Sequence, residues 1–151
     1  MTRACAGTAA VREPVLAGWV LAGEARSVAR ARELVRSALA GHVPAAVLAD
    51  VELAVSELAG NAVRHSASGG PGRRYVLAVA VLPGRVRVAV IDEGGARVPR
   101  VASAAELADP DRAGGRGLGT LACLGAVGWD DLPAGRRRVW AELPCAGAGG
   151  A

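Results

Sequence analysis

Apolar side chains recur along this chain at two periods. Val28, Ala31, Leu34, Val35, Ala38 and Leu39 fall at helical spacing and predict a helix from Ala25 to Ala40, which Gly41 stops. A longer helix is predicted from Pro44 to His65, where Val47, Leu48, Val51, Ala54, Val55, Leu58 and Ala62 share one face. Between and beyond these helices the pattern turns β-like. Leu16 to Leu21 reads as a strand, and Tyr75 to Leu82 and Val86 to Ile91 flank Pro83-Gly84 as a hairpin. Residues 93–116 form a long loop with one helical turn around Val101 to Ala108. Leu118 to Val127 predicts a last helix and Arg138 to Leu143 a last strand. This order predicts an α+β layer, with helices on one face of a mixed, mostly antiparallel sheet.

Composition narrows the picture. The 151 residues hold a single domain, with 52% hydrophobic side chains, enough to fold. Phe is absent and only Trp19, Tyr75, Trp129 and Trp140 are aromatic, so the core must be built from Val, Leu and Ala. Residues 1–13 and 146–151 are small or polar without period and are expected to be disordered, leaving 14–145 as the domain. All 18 basic residues are Arg, and the net charge of +4 favours an acidic or phosphate-bearing partner without choosing among them. Cys5, Cys123 and Cys145 have neither disulfide-framework nor zinc spacing, so reduced thiols in a cytoplasm are expected. The apolar run Val15 to Ala22 is short for a signal peptide and far too short for a membrane span.

Three constellations carry candidate chemistry. On the long helix Asp50, Glu57, Asn61 and Arg64 fall within roughly 60° of one another, beside the apolar face. Most such stripes are solvated helix faces, but Asn is a poor helix former and its place one turn after a Glu argues for a use. A carboxylate there can take a proton, and an amide oxygen can ligate Mg²⁺. Next, Val88 to Ile91 ends in Asp92-Glu93-Gly94-Gly95, which is either a strand-ending turn or an acceptor at the mouth of an apolar pocket. Last, Gly114-Gly115-Arg116-Gly117-Leu118-Gly119-Thr120 opens a helix. With 21 Gly, roughly three G-x-G triplets arise by chance, so the argument rests on position: glycines at a helix N-terminus make an anion site.

In this order the pieces resemble the GHKL (histidine-kinase-like) ATPase superfamily. Glu57 to His65 is similar to its N-box, Asp92-Glu93-Gly94 to its G1 box, and Gly115-Arg116-Gly117-Leu118-Gly119 to its G2 box. The resemblance spans about residues 16–143 and extends to flanks typical of the anti-sigma factor serine kinase branch, including Arg26 to Arg32, Val55 to Leu58 and Val139 to Pro144. It implies a Bergerat-type two-layer sandwich that binds ATP and Mg²⁺. By it, Asn61 holds the metal, Glu57 is the general base and Asp92 reads the adenine amine. Gly94 belongs to the adenine side, while Gly115, Arg116, Gly117, Leu118, Gly119 and Thr120 line the phosphates, with Arg64 and His65 nearby. Residues 97–114 would be the ATP lid. Two departures stand out: Ala96 occupies the last position of the family's D-x-G-x-G pattern, and the lid is short and without Lys. His42 lies outside every box.

The resemblance implies a cytoplasmic ATP-binding anti-sigma factor with protein-serine kinase activity. Its partners would be a sigma factor and a small anti-anti-sigma antagonist that it phosphorylates, with homodimerisation left open. A nucleotide-dependent binding module of the same fold, weak or inactive in catalysis, is the alternative. A sensor histidine kinase would need a further helical pair bearing a phospho-accepting His, for which the chain has no room. Neither a membrane nor direct nucleic-acid contact is expected. Arg73-Arg74 and Arg136-Arg137-Arg138 read as hairpin and strand-end arginines, with nucleic acid the minor alternative, since no aromatic stacking platform accompanies them.

Overall fold

The computed structural model of the protein describes residues 16–95, 98–111 and 115–146. The expected disordered N-terminus, and all of the expected tail but Ala146, lie outside these residues. Five strands and four helices follow one another as β1 (Ala17–Ala22), α1 (Arg26–Leu39), α2 (Ala45–His65), β2 (Arg74–Leu82), β3 (Arg85–Asp92), α3 (Ala104–Ala108), α4 (Gly117–Leu124), β4 (Ala126–Asp131) and β5 (Arg137–Pro144). The sheet runs β1-β2-β3-β5-β4. The expected α+β sandwich is observed, and all four strand pairings are antiparallel.

Strand alternation and helix period meet in one aliphatic core. Tyr75, Leu77 and Val79 of β2, Val86, Val88 and Val90 of β3, and Val139, Ala141 and Leu143 of β5 face the helices. Against them α2 lays Val51, Ala54, Val55, Leu58, Ala59 and Ala62, all at most 1% exposed. α1 adds Ala31, Val35 and Leu39. Burying a Val or Leu in this way contributes about 1.5–3 kcal/mol. Tyr75 meets its polar need inside the core: its hydroxyl is hydrogen-bonded to that of Ser27 at 2.8 Å, while burial pushes its pKa up. The sheet's other face carries Arg87 stacked 4.7 Å from the Trp140 ring centre and ion-paired with Glu142 at 2.6 Å.

The last helix is shorter than expected. Its helical span ends at Leu124, and Ala126 and Val127 belong instead to β4, a strand the periodicity did not predict. The reason lies at Gly125 and Gly128. A side chain at Gly125 would overlap the Glu142 carbonyl of β5, and one at Gly128 would enter the Trp140 indole. The absence of Cβ at both lets this short segment close onto β5.

α2, the longest helix, places its C-terminal half against β3 and β5, and the loop after it is stitched to the end of β3. Ser66 Oγ donates to the Ala62 carbonyl at 2.7 Å and accepts from Ser68 N–H. The fully buried Ser68 Oγ accepts from Glu93 N–H at 2.8 Å, and Ala67 N–H donates to the Gly94 carbonyl at 2.7 Å. These bonds fix the end of α2 and the end of β3 side by side. Among the described residues no helix is long and apolar enough to cross a membrane.

Candidate functional site

Where α2, the end of β3 and the start of α4 converge, a cavity of about 710 Å³ opens. Glu57, Asn61, Arg64 and His65 line it from α2, Asp92 and Gly94 from the end of β3, and Gly115, Arg116, Gly117, Leu118 and Thr120 from the glycine-rich junction into α4. The three sequence constellations, far apart in the chain, thus share one hollow. Gly119 alone of the predicted site residues is not in the lining. A side chain there would meet the Ala102 carbonyl at 2.8 Å and Leu107 at 3.1 Å, so this glycine lets the 98–111 segment pack on α4. Asp50, the first member of the polar stripe, also stays outside the cavity.

Each side chain is held by its element. Glu57 is half-buried, with its carboxylate against the first residue of α4: a Cβ at Gly117 would lie 3.2 Å from Glu57 Cδ and overlap Oε2. Arg64 folds back over Gly60, one turn earlier, within 2.9 Å of where a Cβ would stand. Arg116 precedes α4 and bonds the Asp109 carbonyl through one guanidinium nitrogen, while its Nε is buried with no hydrogen-bond partner. Arg64, Arg116 and the α4 amide ends, which carry positive partial charge, bring positive charge to that end of the cavity, beside the Glu57 carboxylate.

The other end is set by Asp92, 8% exposed. Its Oδ1 accepts from Gly94 N–H at 2.7 Å, closing a tight turn in which Gly94 has φ of +73°. A side chain on Gly94 would collide with the Gly135 carbonyl, so the turn is glycine on both counts. Burial pushes the Asp92 carboxyl above its ordinary pKa, against the opposing pull of the Gly94 hydrogen bond and of Arg137. An acceptor kept this far from water is suited to a donor on a bound ligand.

Several lining residues were not assigned to the site from the sequence. Arg137 pairs in register with Asp92 across β3 and β5, is 13% exposed and bonds Asp131 at 2.8 Å. Val139 and Leu58 supply apolar wall, and Val98, Pro99 and Arg100 close one side from the expected lid. Of that lid, residue 97 and residues 112–114 lie outside the described residues, as does Ala96. The described part carries α3, whose Ser103 and Glu106 form a capping box.

An ATP ligand fits this arrangement on observations of the chain itself: a buried carboxylate acceptor at one end, an unpartnered buried guanidinium N–H and a helix N-terminus at the other, and a cavity in the size range of nucleotide-sized pockets. The family model for the histidine kinase-like ATPase domain matches residues 21–124, well over half the chain. The chain belongs to that family, and ATP binding is the activity the membership implies. No curated protein matches the chain. Among the described residues no group of three or more His, Cys, Asp or Glu side chains is placed to hold a metal ion.

Proposed function

We propose that the chain is a protein-serine kinase of the anti-sigma type, which binds ATP with Mg²⁺ and transfers its γ-phosphoryl group to a serine of a small antagonist protein. Asn61 would offer its amide oxygen to Mg²⁺. Asp92 would accept from the adenine amine, and Gly115 to Thr120, Arg116, Arg64 and His65 would surround the phosphates.

The observation that carries the reading is Glu57. It stands one turn before Asn61 in the cavity wall, with its carboxylate against the N-terminus of α4, the end where phosphates are favoured. A module that only binds nucleotide has no need of a carboxylate there, because placing one beside phosphates costs electrostatic energy. As a base it would take the proton of the serine hydroxyl as that oxygen bonds to the γ-phosphorus and the bond to ADP breaks. A sigma factor as the second partner, and a cytoplasmic setting, belong to the same proposal and rest on the sequence resemblance.

The test is transfer from γ-labelled ATP to candidate antagonists. Glu57→Gln should lower the rate by about 10²–10⁴ while ATP affinity stays within a few fold. Transfer at the wild-type rate would remove the base from Glu57. No transfer by the wild-type protein to any serine-bearing candidate would favour the binding module instead.

A further inference from the structure

Arg74 and Arg136, one from each of the two arginine runs, lie outside the ATP cavity's lining and meet at one end of the sheet. Arg74 opens β2, Arg136 immediately precedes β5, and both line a second cavity of about 240 Å³ with Ile91 and Glu93 at the end of β3. Both guanidinium side chains are exposed, and neither has a hydrogen bond or ion pair among the described residues. Most other arginines here have acidic partners: Arg36 with Glu52, Arg85 and Arg87 with Glu142, Arg137 with Asp131 and Arg138 with Asp130. At the cavity itself Glu93 is engaged by Arg73 at 3.4 Å. Asp92 lines this cavity as well as the first, and its Oδ1 is engaged by Gly94 N–H at 2.7 Å. Two unpaired like charges therefore share the mouth of a hollow large enough for a single acidic side chain, an arrangement that an incoming anion relieves.

We propose that this cavity is a docking point for an acidic segment of a partner protein, a carboxylate entering between Arg74 and Arg136 beside the end of β3. Nucleic acid suits it poorly. Tyr75, the aromatic residue in its wall, is 1% exposed with its hydroxyl tied to Ser27, so no ring is offered to a base. Two guanidiniums at one hollow also make a point contact, not a track along a phosphate backbone.

A fluorescein-labelled octaglutamate peptide is the probe, titrated by fluorescence anisotropy, with octaglutamine as control. The wild-type protein should bind octaglutamate in a salt-sensitive manner and ignore octaglutamine. Arg74→Ala/Arg136→Ala should weaken binding by about fivefold to tenfold, since exposed ion pairs are individually weak. Arg26→Ala/Arg30→Ala, which removes the same charge from the exposed side of α1, should leave it unchanged. Unchanged ATP affinity in the Arg74/Arg136 variant, which lies outside the first cavity's lining, shows an intact domain. The Arg74→Gln/Arg136→Gln pair serves where alanine perturbs folding. Equal losses in the two double variants, or no octaglutamate binding at all, would overturn the proposal. So would inorganic phosphate displacing the peptide at equal concentration, or a thymidine oligonucleotide of equal charge binding more tightly through the same two residues. The outcome is independent of phosphotransfer, so failure here leaves the kinase reading standing, and the reverse.

Discussion

Gly117→Ala separates the placement of Glu57 from the stability of the fold. The added methyl would overlap Glu57 Oε2 and stand 3.2 Å from Cδ, so the carboxylate must retreat by on the order of 1 Å to regain ordinary van der Waals separation. What yields is the free end of a flexible side chain, at a cost of about 0.5–1.5 kcal/mol for a shifted rotamer. The exchange of glycine for alanine in the first turn of α4 returns up to about 1 kcal/mol of helix propensity. The two nearly cancel, so the melting temperature should move by no more than about 3 °C. The rate should not be spared, because a misplacement of about 1 Å at a reacting group can cost 10²-fold. Transfer from γ-labelled ATP should therefore fall by about 10² in Gly117→Ala. In a Glu57→Gln background the same substitution should add little, because the displaced group has already lost its basicity. A wild-type rate in Gly117→Ala would refute the reasoning. So would a full additional 10²-fold loss on top of Glu57→Gln, which would mean that the methyl acts on the phosphate loop and not through the carboxylate.

Two further outcomes concern stability. Because burial raises the Asp92 pKa in the folded protein, the ionised carboxylate opposes folding: stability is lost as pH rises through that raised value and regained as pH falls toward the ordinary carboxylate range. Asp92→Asn should thus melt higher than wild type at pH 7, with the gap closing in acid; a constant gap across pH would contradict this. Ala134 has φ of +64° beside the Gly94 turn, a conformation costing about 1–2 kcal/mol for an L-residue, against about 0.4–1 kcal/mol of chain entropy added by glycine. Ala134→Gly should raise the melting temperature by a few degrees in a calorimetric scan, and a lower value would show that the strain is illusory.

The helices and the central hairpin were legible because their signal is local. α1 and α2 begin and end within a residue or so of the spans their apolar spacing marks, and the polar stripe beside the α2 core face brought Glu57, Asn61 and Arg64 to one wall. β4 was not legible. Its six residues, Ala126–Asp131, are too few to show alternation against the helix that precedes them, and its pairing depends on where β5 lies. Arg137 was read only as one of a run of strand-end arginines, because only the β3–β5 register sets it beside Asp92. Gly119 matched a phosphate-loop pattern, yet its lack of a side chain serves packing against Ala102. A pattern cannot tell a glycine that admits ligand from one that admits a neighbouring backbone.

The proposed function rests on ATP occupying the first cavity with its base against Asp92, and titration calorimetry with Mg·ATP addresses that most directly. The wild-type protein should bind one ATP, and Asp92→Asn should lose about 1–3 kcal/mol of that affinity, the cost of replacing a desolvated acceptor with a group that is partly a donor. Equal affinity in the two proteins, or no binding in either, would contradict the account.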